Sequence, residues 1–204
     1  MIAGIEEGKL QPILVAKNGR AREYIDKTLD LSGMEVQEMR AEDIPGLVDK
    51  QLPQWLGLTT TELVVNYLMV AKQPQLEVLQ TINWNDDGCL YGKPTICAIG
   101  KKDIPKALVQ GVRERDIIIA TNETSAILSA ALGSGYLNRQ NISFKTLRGE
   151  TEAALKLGYA DMVVEIVGTG STVERYGLQI YAPLFLIDFA LIGNKRYISQ
   201  LRGK

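Results

Sequence analysis

Short runs of apolar residues alternate along the chain with segments whose apolar positions recur every three or four residues. The runs are strand-sized and fit strands buried on both faces, whereas the helical spacing predicts helices that cover a sheet. Predicted strands occupy 13–16, 36–40, 55–58, 77–84, 95–99, 117–120, 142–147, 162–167, 178–182 and 184–192. Predicted helices occupy 21–31, a segment beginning near Asp43, 62–69, 104–112, 127–131 and 150–157.

This alternation predicts an α/β fold of mostly parallel sheets with helices on both faces. The extended segments 77–84 and 95–99 are expected to connect two lobes. We therefore predict a first lobe made of residues 1–92 and 178–204, and a second lobe made of residues 93–177.

Composition narrows the class of protein. The 204 residues are 46% hydrophobic and 23% charged, with a formal net charge of -1, which is ordinary for a globular protein. This charge leaves no basic excess for a nucleic-acid surface. Apolar runs fall far short of the ~20 residues of a membrane span, and the first residues lack a signal-peptide pattern. A cytoplasmic protein without membrane contact is expected.

The chain contains no histidine. Ser-His-Asp chemistry, Cys-His chemistry and imidazole metal sites are therefore excluded. Cys89 and Cys97 are too few for a disulfide scaffold and lie beside apolar residues, so both are predicted to be buried free thiols. Catalysis would depend on carboxylates, lysine, arginine, hydroxyls, backbone amides or a bound hard cation.

The most informative segment is the turn that follows the predicted strand at 162–167. Thr169, Gly170, Ser171 and Thr172 form a small polar loop before a short helix. Small residues let a ligand oxygen approach the backbone, and the amides at a helix start can bind an anion. The loop lacks the lysine of a nucleotide P-loop. It predicts a site for a terminal phosphate, although a plain helix N-cap has the same residue types.

The residues around this loop have the spacing of a known signature. Glu152, Gly158, Ala160, Val163, Glu165, Ile166, Thr169, Gly170 and Thr172 together resemble the signature of ATP phosphoribosyltransferases. Further short segments that resemble sequences of this family lie at 15–20, 42–45, 56–58, 120–122, 147–152 and 190–194. The resemblance therefore extends over roughly residues 13 to 195.

The resemblance implies a glycosyltransferase that opens histidine biosynthesis, a pathway of amino-acid biosynthesis. Such enzymes move phosphoribosyl from phosphoribosyl pyrophosphate to N1 of ATP and release pyrophosphate, with Mg²⁺ as the cofactor. It also implies two lobes similar to those of type II periplasmic binding proteins. The displacement needs little proton transfer, because a neutral ring nitrogen attacks, and a chain without histidine can perform it.

The family's functional residues carry over to positions in this chain as expectations. Thr169, Gly170, Ser171 and Thr172 would hold the ribose 5-phosphate, and Glu165 would lie near the ribose hydroxyls. Lys17 and Arg20 would meet pyrophosphate or the ATP phosphates, and Gly149, Glu150, Glu152 and Asp161 would contribute to substrate binding. The simpler alternative for Lys17 and Arg20 is a pair of solvated charges. For Glu150 and Glu152 it is a pair of acids at a helix start.

The chain ends at Lys204, which leaves no room for the histidine-sensing domain of long family members. A short form is therefore expected, as a homodimer or in a hetero-oligomer with a regulatory subunit similar to histidyl-tRNA synthetase. The chain departs from the family at Glu165, where aspartate is usual, and at Thr59, Thr60 and Thr61. Two alternatives stay open: a non-catalytic two-lobed binding protein or sensor, and a phosphoribosyltransferase with another acceptor.

Overall fold

The computed structural model describes residues 11–102, 117–122, 128, 142–147 and 151–202, without the side chains of Gln11, Ile142 and Glu152. The chain divides into two compact units. Unit 1 comprises Met1–Asn83 and Asp188–Lys204, and unit 2 comprises Trp84–Ile187. None of the helices in the described ranges is both long and apolar enough to cross a membrane.

Unit 1 is built around a mixed five-stranded sheet. Its elements are β1 (Gln11–Ala16), α1 (Gly19–Thr28), β2 (Met34–Met39), α2 (Ile44–Gly46), a π-helical turn (Leu47–Gln51), β3 (Leu56–Thr60), α3 (Thr61–Val70), β4 (Leu76–Ile82), β10 (Phe189–Asn194) and α6 (Lys195–Arg202). The strand order is β2-β1-β3-β10-β4. β1 is parallel to β2 and β3, whereas β10 runs antiparallel to β3 and β4.

The core of unit 1 forms where β1 and β10 meet the helices. Leu14, Ile44, Val48, Val64 and Ile192 belong to one cluster and are almost completely buried. Each such aliphatic side chain contributes about 1.5–3 kcal/mol when it is removed from water. Apolar residues of the strands and of the helical segments therefore both contribute to the core of this unit.

Buried Asp49 anchors the π-helical turn by polar contacts. Its carboxylate accepts hydrogen bonds from the backbone N–H of Gln75, at 2.6 Å, and from the hydroxyl of Tyr67. Its backbone carbonyl accepts a hydrogen bond of 2.8 Å from Nδ2 of Asn194. These bonds satisfy a buried charge and connect the turn to α3 and β10.

Unit 2 contains a second mixed five-stranded sheet. Its elements are β5 (Thr95–Lys101), β6 (Ile117–Thr121), β7 (Ile142–Thr146), α4 (Glu152–Lys156), β8 (Met162–Val167), α5 (Ser171–Arg175) and β9 (Leu178–Leu186). The strand order is β7-β6-β8-β5-β9. β6 is parallel to β7 and β8, whereas β5 is antiparallel to β8 and β9. Because β6, β7 and β8 share a direction, their carboxyl ends lie along one edge of the sheet, where open α/β sheets place ligands.

The α/β fold with two sheets is confirmed. Each sheet has two parallel and two antiparallel pairings, so the expectation of mostly parallel sheets was too strong. The antiparallel pairings are those of β10 with β3 and β4 and those of β5 with β8 and β9. Residue periodicity reveals how a strand is buried, but not the direction of its neighbour.

The predicted lobe boundaries differ from those of the structure. Leu178–Leu186 lies in unit 2, not in the first lobe, because β9 pairs with β5. Segment 84–92 also lies in unit 2, where Leu90 donates a backbone hydrogen bond of 2.8 Å to Gly168. The terminal helix α6 was not predicted. The helices predicted at 104–112 and 127–131 lie outside the described residues, apart from Leu128, which is helical.

Candidate functional site

The loop after β8 is fastened to the core of unit 2 at both ends. Val167, the last residue of β8, and Val173, in the first turn of α5, both belong to the buried cluster of this unit. Thr169 and Ser171 are exposed between these two anchors. The apolar residues thus hold the loop in place while its hydroxyl groups face solvent.

Local hydrogen bonds shape the loop itself. The hydroxyl of Thr169 accepts a hydrogen bond of 3.3 Å from the N–H of Ser171 and donates one of 3.0 Å to the Ser171 hydroxyl. This is the turn that threonine forms with the backbone two residues ahead. No hydrogen bond from the backbone N–H of Thr172 or Val173 to an acceptor is found among the described residues. Both groups belong to the first turn of a helix, where N–H groups have no intrahelical acceptor.

Gly170 gives the loop its sharp bend. It caps α5 in the left-handed conformation, with φ of +78°, which residues with a Cβ adopt only with strain. A Cβ at this position would meet the Leu90 side chain at 3.6 Å, an ordinary contact. Backbone conformation, more than lack of space, therefore explains the glycine.

Glu165 lies three residues before the loop sequence Gly168–Thr169, and its carboxylate is held on several sides. Oε2 accepts a hydrogen bond of 2.8 Å from the Thr151 hydroxyl. Oε1 accepts bonds from the N–H of Ile166, at 3.0 Å, and from Nδ2 of Asn122, at 3.4 Å. Asn122 directly follows β6, so the contact joins the carboxyl ends of two parallel strands.

Cys97 lies opposite Glu165 in the antiparallel pairing of β5 and β8. Burial raises the pKa of the Cys97 thiol to about 12, so the sulfur stays protonated near neutral pH and cannot act as a nucleophile. Cys89 and Cys97 are both buried and form no disulfide, which agrees with the prediction of buried thiols from the sequence.

Asp161 is placed away from the loop. It precedes β8, and its Oδ2 accepts a hydrogen bond of 3.0 Å from the N–H of Ile118. Its own N–H donates to the carbonyl of Ile118 at 2.8 Å. These bonds fix the amino end of β8 against β6, at the end of the strand opposite to Thr169. The structure therefore separates Asp161 from the residues predicted to bind substrate with it.

Lys17 and Arg20 belong to unit 1. Both are exposed, Lys17 directly after β1 and Arg20 in the first turn of α1. The N–H of Lys17 donates a hydrogen bond of 2.8 Å to the carbonyl of Met39, which fixes the backbone at the carboxyl end of β1. Gly149 and Glu150 lie outside the described residues, as does the side chain of Glu152.

Sequence reasoning missed Thr151 and Asn122 as members of the site. Thr151 is completely buried, and its hydroxyl reaches a carboxylate fourteen positions away along the chain. No local spacing reveals such a contact, because it depends on how α4 packs against β8. The one available signal was a polar residue, Asn122, directly after an apolar strand.

Solved structures define the class of fold. The ATP phosphoribosyl transferase (HisG:HisZ) complex from Thermotoga maritima matches with a TM-score of 0.65 at 18% sequence identity, over 95% of this chain and 92% of that chain. The periplasmic aliphatic sulphonate binding protein SsuA from Escherichia coli matches with a TM-score of 0.61 at 12% identity, over 96% of this chain and 68% of that chain. The α/β architecture is therefore shared by a transferase and a solute-binding protein.

Sequence comparison assigns the family. The ATP phosphoribosyltransferase model, HisG, matches residues 40–203, and the chain belongs to this family. An ATP phosphoribosyltransferase of Caldicellulosiruptor saccharolyticus is 35% identical over 112 residues, which are 51% of this chain and 51% of that protein. One from Methanothermobacter thermautotrophicus is 26% identical over 173 residues, which are 83% of this chain and 53% of that protein. The chain spans about half the length of these curated relatives.

Proposed function

We propose that this chain is the catalytic chain of an ATP phosphoribosyltransferase, which moves phosphoribosyl from phosphoribosyl pyrophosphate to N1 of ATP as the first step of histidine biosynthesis. The observation that carries the proposal is the open hydroxyl-rich loop, 169–172, in a chain whose residues 40–203 match that family. The acidic side chain of Glu165 is held on β8, the strand that precedes this loop, at the carboxyl end of the parallel strands.

In the proposed mechanism, the loop binds the 5-phosphate of the sugar. The N–H groups of Thr172 and Val173 and the hydroxyls of Thr169 and Ser171 supply donors to the phosphate oxygens. Binding of the phosphate fixes the position of the anomeric carbon, although the loop itself does not contact that carbon. Positioning of this kind is a large part of catalysis where the protein takes little part in proton transfer.

Glu165 supplies the acceptor for the ribose hydroxyls. As the bond from the anomeric carbon to pyrophosphate breaks and the bond from N1 forms, positive charge develops on the sugar. A nearby carboxylate stabilises that charge more in the transition state than in the ground state. The electron pair of N1 becomes the new bond, and the electrons of the broken bond leave with pyrophosphate.

A divalent cation, Mg²⁺ in this proposal, neutralises the leaving pyrophosphate when it is bound. Among the described residues, no three acidic, cysteine or histidine side chains form a cluster that could hold a metal ion. We propose that the cation arrives on the substrate, because Mg²⁺ keeps several waters and is held largely by substrate phosphates. A resident metal site is therefore not part of the proposal.

Lys17 and Arg20 are proposed as the cations that meet pyrophosphate or the ATP phosphates. Their support is exposed positive charge at the carboxyl end of β1 and the start of α1. Gly149, Glu150 and Glu152 stay proposed contributors to substrate binding. For Asp161 the hydrogen bonds to Ile118 favour a structural role instead.

The assembly is also proposed by analogy. The Thermotoga maritima structure is a HisG:HisZ complex. We propose that this chain forms a homodimer that joins a regulatory subunit, and that it acts in the cytoplasm, where its acceptor ATP is made.

The direct test incubates the protein with phosphoribosyl pyrophosphate, ATP and Mg²⁺ and follows phosphoribosyl-ATP by absorbance together with pyrophosphate release. Product formation, alone or only after a regulatory subunit is added, supports the enzyme. Tight binding of phosphoribosyl pyrophosphate without turnover in either case favours the sensor. Turnover only with another base favours a different acceptor, and absence of both binding and turnover contradicts the proposal.

A further inference from the structure

The hydroxyl of Thr151 does not serve the helix that it precedes. Thr151 occupies the N-cap position of α4, where a threonine hydroxyl ordinarily accepts a hydrogen bond from an N–H of the first turn. No such bond forms, and the residue has helical backbone angles, with φ of -67° and ψ of -28°. Its hydroxyl instead donates to Oε2 of Glu165 at 2.8 Å.

Burial makes this contact specific. Thr151 is 0% exposed, so its hydroxyl cannot exchange Glu165 for water without opening the packing of α4 on β8. A buried hydroxyl without a partner keeps the full cost of its desolvation, which keeps the bond to Glu165 closed. The carboxylate oxygen on this side is therefore fixed by a rigid donor.

The backbone beneath Glu165 is fixed in the same manner. The hydroxyl of Thr121, also 0% exposed, donates to the carbonyl of Val164 at 3.1 Å. The second carboxylate oxygen of Glu165 accepts from Ile166 N–H and, at a longer distance, from Nδ2 of Asn122. The main chain and both oxygens of Glu165 are thus held before any substrate arrives.

We infer that Thr151 is a positioning residue for substrate binding: the Thr151 hydroxyl holds the Glu165 carboxylate in the orientation that accepts the hydroxyls of a phosphorylated pentose. Asn122 supports the same carboxylate in a lesser role. The inference rests on the proposed function. A free glutamate side chain loses rotamer entropy when it is ordered. Ordering the carboxylate in the empty protein removes that cost from the binding step.

The test compares Thr151→Val, which removes the hydroxyl at nearly constant volume, with Thr151→Ser, which keeps it. Calorimetric titration of the full chain with phosphoribosyl pyrophosphate and Mg²⁺ gives the affinity. We expect Thr151→Val to weaken binding by about tenfold, as for a lost hydrogen bond to a charged group, and Thr151→Ser to stay within about threefold of the parent. In turnover, kcat/KM for this substrate should fall by at least as much as the affinity, because Glu165 acts more strongly in the transition state than in the ground state.

A double-mutant cycle with Glu165→Ala separates positioning from a general packing effect. If Thr151 acts through Glu165, adding Thr151→Val to Glu165→Ala produces no further loss of affinity. Additive losses would overturn the inference, as would unchanged affinity in Thr151→Val. Should Thr151→Val fail to fold, Asn122→Ala enters the same cycle, with an expected loss of about twofold to threefold because its hydrogen bond is longer.

The controls distinguish this inference from the proposed function. A parent protein that fails to bind phosphoribosyl pyrophosphate overturns both. Unchanged affinity in Glu165→Ala overturns the role of that carboxylate, and the inference with it. Lost affinity in Glu165→Ala together with normal affinity in Thr151→Val overturns only the inference.

Discussion

At the scale of single residues, the loop after β8 combines exposed hydroxyl groups with a backbone of defined shape. Thr169 and Ser171 are exposed, yet the turn is held by the hydrogen bonds between them and by the left-handed Gly170. The hydroxyl groups are thus presented to solvent on a backbone of defined shape. A ligand that binds there meets backbone N–H donors on a turn that is already formed.

Replacing Ser171 tests the loop through charge alone. Ser171 is the first residue of α5, where a carboxylate is compatible with the helix, so Ser171→Glu should fold normally. Its carboxylate would occupy the proposed place of the 5-phosphate, and like charges in close contact cost several kcal/mol. We expect the affinity for phosphoribosyl pyrophosphate, measured by calorimetry, to fall at least tenfold.

The matched control is Ser171→Gln, which has the size of glutamate without its charge. Its affinity is expected to stay within about threefold of the parent. Equal losses in the two variants would show that bulk, not charge, disturbs binding. Normal affinity in Ser171→Glu would place the phosphate elsewhere.

Glu62 in unit 1 is a buried acid near the start of α3. It is 6% exposed, and burial raises its pKa to about 7, although the Thr60 hydroxyl, 2.6 Å from Oε1, opposes the shift. The unfolded chain releases this proton near pH 4.5, the ordinary value. Between these two values the folded state holds more protons than the unfolded state, so stability falls as pH rises.

The prediction concerns the difference in free energy of unfolding between the parent and Glu62→Gln. Relative to the variant, the parent is expected to lose about 3 kcal/mol as pH rises from the unfolded to the folded pKa. Urea unfolding at several pH values measures this difference. Glu23→Gln, at an exposed position of α1, is the control, and its difference from the parent should stay below about 1 kcal/mol throughout. If the difference in free energy of unfolding between the parent and Glu62→Gln did not change with pH, the account would be contradicted.

At the scale of elements, side chains of the neighbouring elements fill the space over Gly57 of β3. A Cβ on Gly57 would lie 2.6 Å from Cγ2 of Ile44 and 2.9 Å from Cγ1 of Ile192, so only glycine fits between α2 and β10. We expect Gly57→Ala to lower the free energy of unfolding by roughly 1–3 kcal/mol, because the core cannot expand without strain. Urea unfolding followed by circular dichroism measures the change.

Gly46 provides the comparison for this prediction. A Cβ there would lie 3.6 Å from Cε2 of Tyr67, an ordinary contact, and the residue is already helical. Gly46→Ala should therefore leave stability unchanged or raise it by up to about 1 kcal/mol. Equal destabilisation by both substitutions would argue against tight packing as the cause.

The elements that the sequence predicts well are those whose own residues determine them. β6 is an apolar run that is buried along most of its length, and β8 begins with the buried run Met162–Val164. Gly158, with φ of +72°, follows the end of α4, where a glycine commonly ends a helix. α6 was missed because its buried stripe is reduced to Ile198, which packs over Gly193. Its stability depends on that contact with β10, which no local pattern contains.

The site was predictable only in part for the same reason. Thr169 to Thr172 form a continuous segment, so their spacing was visible in the sequence. The hydrogen bond from Thr151 to Glu165 joins residues from different elements, so only the packed structure reveals it. Asp161 was expected in the site from the family resemblance, but a strand carries residues near its two ends to opposite edges of the sheet.

At the scale of the whole molecule, each unit has its own sheet and its own buried cluster. The chain leaves unit 1 after Asn83 and returns to it at Asp188, so unit 2 is an insertion in unit 1. The proposed phosphate loop, Glu165 and Thr151 all lie in unit 2, whereas Lys17, Arg20 and Glu62 lie in unit 1. Each substitution proposed above therefore changes a residue of one unit only, and its effect is interpreted for that unit.

The most direct measurement of the central claim is a crystal structure of the protein with phosphoribosyl pyrophosphate and Mg²⁺. The account predicts density for the 5-phosphate within about 2.7–3.2 Å of the backbone nitrogens of Thr172 and Val173, with the ribose hydroxyls facing Glu165. A phosphate bound elsewhere, with residues 169–172 unoccupied, would contradict it.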